Sequence, residues 1–316
     1  MRDHQLTQVS LVVAPQTSLM TLAAVIDPLR AANRLARSPV FEWHLWGLDQ
    51  NAIELTSGIE IATEGALGPD MVGDMLCVVA GFDHERLATA RNLSHLASTA
   101  SRFQTVCGIE AGTWLLAKAG VLTDHRVTTH WEDIEALQLA YPSLEVRRDR
   151  YTVDRKIWTS GGAAPSLDMM LHFVRTLKNP LLAQDVASAF VYPDSQSATE
   201  AQITSPGARF RSIEPRLAEA IDIMVANIED PLSIKDISSA LSISNKTLEL
   251  LFNKHLQTAP KQMYIRLRLQ AARKLIVNSA HSLTHIAIRS GFASASHFSR
   301  AFRQYYGVAP RTLRGR

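Results

Sequence analysis

The chain has 316 residues, 46% of them apolar and 20% charged, with a formal net charge of +3, a composition that supports ample core and about two domains. No apolar run approaches the ~20 residues of a membrane helix, and the opening MRDHQLTQVS lacks the long apolar segment of a secretory signal. Two cysteines, Cys77 and Cys107, make neither a disulfide framework nor a metal quartet, so a cytoplasmic protein without metal, cofactor or membrane association is expected.

Strands and helices alternate over the first ~190 residues. QVSLVVAP (8–15) is a buried strand, and LMTLAAVIDPLRAANRLA (19–36) places Leu22, Ile26, Leu29 and Leu35 at roughly helical spacing. FEWHLWGL (41–48) and DMLCVVAG (74–81) are the second and third strands. HERLATARNLSHLAS (84–98) reads as one helix, and RFQTVCGI (102–109) leads into a strand-to-helix elbow. KIWTSGG (156–162) is a further strand before the helix SLDMMLHFVRTL (166–177). Apolar strands separated by helices predict an α/β domain with a mostly parallel sheet sandwiched by helices.

The elbow TVCGIEAGTWLLAKAG (105–120) contains Cys107, and an elbow of this kind presents one side chain at the rim of a sheet. Its neighbours two before and two after must be small, because the turn is tight. Around Cys107 these would be Thr105 and Ile109, whereas around Glu110 they are Gly108 and Gly112. GIEAG therefore puts a carboxylate at the apex, and Cys107 becomes a buried strand residue. Glu110 is expected to stay ionised at a helix N-terminus.

YPDSQSATEAQITSPGARFR (192–211), rich in Ser, Thr, Pro and Gln, reads as a linker between domains at 1–191 and 212–316. RSIEPRLAEAIDIMVANIED (211–230) carries Ile213, Leu217, Ile221, Met224 and Ile228 as an amphipathic stripe. In PLSIKDISSALSISNKTLELLF (231–252), Ser233 and Asp236 form a capping box, Ser238 is small, Ser242 marks a turn and Ser244 caps a second helix. The layout returns in SLTHIAIRSGFASASHFSRAFRQYYG (282–307), with Ala287 and Gly291 each 49 residues after Ser238 and Ser242, and Phe298, Ala301, Phe302 and Tyr305 inward. APKQMYIRLRLQAARKLI (259–276) is a single connecting helix.

Two helix-turn-helix units predict two recognition helices in successive major grooves of a double-stranded DNA operator. Asn245, Lys246 and Glu249 of the first, with Ala295, Ser296, Ser299 and Arg300 of the second, face the bases; Lys254, Arg303 and the connector arginines face phosphates. Charge supports this. Residues 1–211 hold 18 Lys and Arg against 23 Asp and Glu, residues 212–316 hold 15 against 7, and no acidic residue follows Glu249.

Residues 231–311 resemble the AraC/XylS family of bacterial transcription regulators, most closely in IAIRSGFASASHFSRAFRQYYGVAP (286–310). The resemblance implies an all-α, seven-helix double helix-turn-helix domain that usually activates transcription, RNA polymerase being the expected partner. Leu250 stands where that family often carries Arg. Residues ~5–190 resemble the class I glutamine amidotransferase-like superfamily (the PfpI-like, flavodoxin-like sheet) in its AraC-fused form, through DPLRAAN (27–33), AGTWLLAKAGVLTDHRVTTHW (112–131) and WTSGGAAPSLDMMLHFV (158–174). Enzymes of that superfamily carry Cys at the elbow, where Glu110 stands here, so catalysis is not expected.

The fused regulators resembling this chain at DPLRAAN and GIEAG sense small nitrogenous metabolites such as betaines, carnitine or basic amino acids. A carboxylate with nearby tryptophans suits such a cationic or zwitterionic effector. Glu110, Trp114, His130, Trp131 and Asp27 are the candidate ligands; Trp114 also fits a core position, His130 a structural histidine, and Asp27 a bend before Pro28. A homodimer is expected, with activation across the linker. A repressor of the same architecture, or an amidotransferase- or hydrolase-like enzyme fused to a DNA-binding domain, are the alternatives.

Overall fold

The first unit runs β1 (Thr7–Val13), α1 (Leu19–Ala36), β2 (Phe41–Gly47), β3 (Ala52–Glu54), β4 (Glu60–Ala62), β5 (Gly65–Ala66), β6 (Met75–Ala80), α2 (His84–Leu87) and α3 (Ala90–Ala100). It continues with β7 (Thr105–Glu110), α4 (Gly112–Lys118), β8 (Arg126–Val127), α5 (Ile134–Ala140), β9 (Glu145–Val146), β10 (Tyr151–Asp154), β11 (Ile157–Ser160), α6 (Ala163–Leu177) and α7 (Pro180–Ala189). The structure, a computed structural model, describes residues 6–81, 84–192, 198–199, 202, 207, 210–211, 213–278 and 281–313. Most of the expected linker lies outside them. The chain divides into two units, Met1–Gln202 and Ile203–Arg316.

Seven strands form one sheet in the order β10-β11-β7-β6-β1-β2-β5, parallel throughout except for β10 against β11. Alternation along the central strands assigns side chains to two cores, as a period of two requires. Val9, Leu11 and Val13, with Met75, Cys77, Val79, Cys107 and Ile109, pack with residues of α1, α6 and α7. Val12, Leu76, Val78, Ala80 and Val106 pack with residues of α3 and α4. The sheet is thus sandwiched, and its carboxyl edge, where β7 ends at Glu110, is free to carry loops.

One expected element differs. The helix over 84–98 is two helices, because Thr89 adopts extended geometry (φ −70, ψ 153) and its side chain accepts from the Asn92 amide to cap α3. A threonine placed to satisfy an orphan amide outweighs an unbroken apolar period.

The second unit contains, among the described residues, α8 (Pro215–Ala226), α9 (Ile234–Ala240), α10 (Asn245–Leu256), α11 (Pro260–Asn278), α12 (Leu283–Arg289), α13 (Ala295–Tyr306) and α14 (Pro310–Leu313). α9 and α12 begin at caps Ser233 and Ser282, and the turns after them hold left-handed residues, Ser242 (φ 54) and Gly291 (φ 74). Ile243 N–H donates to the Ser238 carbonyl and Phe292 N–H to the Ala287 carbonyl, closing the two turns alike. Up to here the repeat is 49 residues.

Beyond the turn the repeat becomes 50. Ser244 and Ser294 cap the recognition helices, Leu248 and Phe252 are buried as Phe298 and Phe302 are, and left-handed Gln257 and Gly307 end them. Ala293 is the extra residue, which corrects the constant spacing expected from the turns alone. Two residues of the expected inward stripes are also outside. Ile213 precedes α8 and is exposed, and Tyr305 is exposed on α13.

Candidate functional site

Glu110 ends β7 with φ 52, a left-handed conformation that costs a side-chain-bearing residue roughly 1–2 kcal/mol. Its neighbours hold it there. The Thr129 hydroxyl donates to the Glu110 carbonyl at 2.9 Å, and the Ala111 amide donates to the Ala80 carbonyl at 3.0 Å. A Cβ at Gly108 would stand 2.8 Å from Thr113 Cα, and one at Gly112 would collide with the Val78 carbonyl. The G-x-E-x-G spacing is therefore a steric requirement, and strain of this kind gathers at functional sites.

The carboxyl of Glu110 accepts a hydrogen bond from the Thr21 hydroxyl of α1 at 2.8 Å. Gly162 (φ 150) lies across from it, where a Cβ would stand 3.3 Å from Glu110 Oε1 and 3.7 Å from His130 Cδ2. That glycine leaves room beside both groups. His130 is half-buried, with Nδ1 3.9 Å from a Glu132 carboxylate oxygen and its ring 5.6 Å from that of Trp131. Burial pushes the Glu110 carboxyl above its ordinary value; the Thr21 hydrogen bond draws it back, and the Asp133 charge raises it further. Desolvation is the largest of these influences, and α4, which follows the elbow, spans only seven residues.

The structure thus brings Glu110, His130 and Trp131 to one end of the sheet. Trp114 is not with them. It is 7% exposed, stacks near His84 (5.4 Å) and Tyr141 (6.0 Å), and belongs to the core on the α3 and α4 face. Asp27 is 48% exposed and pairs with Arg30 at 2.8 Å; Thr21, two turns nearer the N-terminus of α1, reaches Glu110 instead. Cys107 is wholly buried opposite Cys77, and burial with that neighbour raises its thiol well above the ordinary value. A thiol held protonated is no nucleophile.

Sequence reasoning missed Thr21, Thr129 and Gly162. It also missed a strap. The Gln202 side-chain amide donates to Thr128 Oγ1, the Thr129 carbonyl and the Asp149 carbonyl, each at 2.9 Å, and its backbone amide to the Arg148 carbonyl at 2.8 Å. Gly161 makes space for that side chain. Arg150 N–H donates to the Ala198 carbonyl, while its guanidinium donates twice to buried Asp168, which also accepts from the Tyr192 hydroxyl at 3.0 Å. The end of the first unit is therefore fastened beside the threonine that holds Glu110. Among the described residues, no group of three or more His, Cys, Asp or Glu could hold a metal ion, and no helix is long and apolar enough to cross a membrane.

In the second unit Lys246, Glu249 and Lys254 of α10 and Ser296, Arg300 and Arg303 of α13 are exposed, with Ala295 and Ser299 half-buried. Asn245 is exposed, but its Oδ1 accepts from the Ser238 hydroxyl and so ties α10 to α9. Of the connector arginines, Arg268 is engaged internally. Arg268 donates to the Ser290 and Gly291 carbonyls and lies 4.3 Å over Phe292. Arg266 and Arg273 lie over Tyr305 and Tyr306. Arg268 thus buttresses the second turn, whereas Arg266 and Arg273 remain exposed beside α13.

An α/β sheet domain followed by paired capped recognition helices is the architecture of a two-domain transcription regulator. Residues 8–176 match the DJ-1/PfpI family and residues 237–316 match a helix-turn-helix domain. The chain belongs to the DJ-1/PfpI family, in its form joined to an AraC-type DNA-binding domain. It is 32% identical to the HTH-type transcriptional regulator CdhR of Pseudomonas aeruginosa, covering 94% of this chain and 88% of that one. It is 30% identical to the HTH-type transcriptional regulator GlxA of Rhizobium meliloti, covering 95% and 93%. A THiJ/PfpI family protein from Pseudomonas syringae shares the fold (TM-score 0.54, 18% identity, 69% of this chain and 90% of that one).

Proposed function

We propose that this regulator activates transcription when a cationic or zwitterionic nitrogenous metabolite, a quaternary ammonium compound or an amino acid, occupies the site at Glu110, and that the first unit is not an enzyme. One observation carries the proposal: the elbow apex is a partly buried carboxyl, hydrogen-bonded by Thr21 and close enough to Asp133 to be raised by its charge. A cation bound there relieves the repulsion, and the His130 and Trp131 rings offer it apolar and π surface. The protonated thiol of Cys107 supports a binding role over thiol catalysis. Occupancy is read out through Thr129, which touches the Glu110 carbonyl and, through its own carbonyl, Gln202 of the strap. The regulator works as a cytoplasmic homodimer on a duplex operator and recruits RNA polymerase.

The test is a thermal-shift screen of the full-length protein against betaines, carnitine, polyamines, basic amino acids and matched anionic acids, repeated on Glu110→Gln. A ligand at a hundred times its Kd adds roughly 2.7 kcal/mol of stability. A cation that stabilises wild type and not Glu110→Gln is the expected result. Stabilisation by anions alone would remove the carboxyl from the role of anchor.

A further inference from the structure

The two recognition helices are not equivalent at their outermost position. With 3.6 residues per turn, buried Leu248 and Phe252 define the inward direction of α10, and the residue opposite them is Leu250. In α13, Phe298 and Phe302 are buried and Arg300 lies opposite. The 50-residue repeat of caps, buried pairs and left-handed ends makes Leu250 and Arg300 the same structural position. Leu250 is 60% exposed. Lys246 and Lys254, one turn to either side on the same helix, are exposed, as are Glu249 and Asn253.

A large aliphatic side chain flanked by two ammonium groups fits a surface that is anionic at its edges and apolar at one point. The major groove is such a surface: its phosphates line the rims, and the thymine C5-methyl is the apolar group among its base edges. We infer that Leu250 reads a thymine, packing on its C5-methyl, while Lys254 and also Lys246, in place of the base contact expected of it, engage phosphates on either side. Glu249, the acidic residue of α10, keeps its own flank directed at base edges, away from phosphates. Arg300 at the matching position of α13 has no such aliphatic tip, so at this helical position dependence on a methyl group is confined to α10.

The test begins by selecting an operator from random duplexes with the full-length protein. Each thymine is then replaced singly by deoxyuridine, which deletes the methyl and leaves the hydrogen-bonding edge intact. At one thymine beneath each bound α10, wild-type affinity should fall about fourfold, the effect of one buried methyl group. In Leu250→Ala that loss should vanish, while the melting temperature stays that of wild type because the side chain is exposed. Leu250→Arg should redirect base preference at this position in a repeated selection. The inference is overturned if no deoxyuridine position weakens wild type, or if the loss persists in Leu250→Ala. It is equally overturned if Leu250→Ala binds every duplex as wild type does and loses only transcription, which would place the leucine against a protein.

Discussion

Burial of Glu110 makes the stability of the first unit depend on pH. A carboxyl raised by burial holds its proton more tightly when folded than when unfolded. Its contribution to stability is therefore fully present below the unfolded value of about 4.5 and is lost as pH rises through the raised folded value. Without ligand, wild-type stability should decline across that window relative to Glu110→Gln, as thermal melts at stepped pH would show; parallel curves would exclude Glu110 as the source. A cationic ligand should bind more tightly as pH rises through the same window, releasing a proton that calorimetry in buffers of different ionisation heat would count. Glycines two before and two after the carboxylate made this residue legible from sequence, because the steric demand is local. Thr21 and Gly162 were not legible, since each meets Glu110 only after α1 and α6 have packed on the sheet. Trp114 misled because helical spacing says which residues share a face, and the face it shares is the core.

At the scale of elements, turns and caps decide more than apolar spacing. Ser242 holds φ 54 with a side chain, so Ser242→Gly should raise the stability of the first helix-turn-helix by about 1 kcal/mol, measured by denaturant unfolding. Gly291→Ala should do the reverse, because a Cβ there would crowd the Ile228 carbonyl and Pro231. The strap makes a separate prediction. Gln202→Ala leaves the Thr129 and Asp149 carbonyls without that donor, a loss of about 1–3 kcal/mol for a buried group. It should uncouple effector binding from transcription while leaving the effector's melting shift in place; an unchanged transcriptional response would exclude the strap as the route. Gln202 was hidden within a polar stretch whose composition reads as linker, and only its three acceptors reveal it. The repeated helix-turn-helix was legible because its caps and turn residues act over a few positions. The added Ala293 is hidden in the sequence because it lies between the turn and the next cap, where no apolar period or turn residue marks an insertion.

For the molecule as a whole, the acidic first part and basic second part divide the work of binding. DNA affinity should fall steeply with salt, with log K changing by about 0.9 per phosphate neutralised for each unit of log salt. Lys246→Ala should flatten that slope by about one, and Arg300→Ala should weaken operator binding outright; a variant indistinguishable from wild type in a titration at two salt concentrations would remove that residue from the interface. Asn245→Ala should instead weaken binding to all duplexes alike, since its side chain fastens α9 to α10.

The unequal repeat has a practical side. From capping serine to left-handed residue, 244–257 and 294–307 are equal in length, whereas from the first cap 233–257 is one residue shorter than 282–307. Recognition helices are thus interchangeable cassettes, and whole helix-turn-helix units are not. A chain given the 244–257 cassette at both places should keep its frame and prefer an operator in which one half-site is written twice.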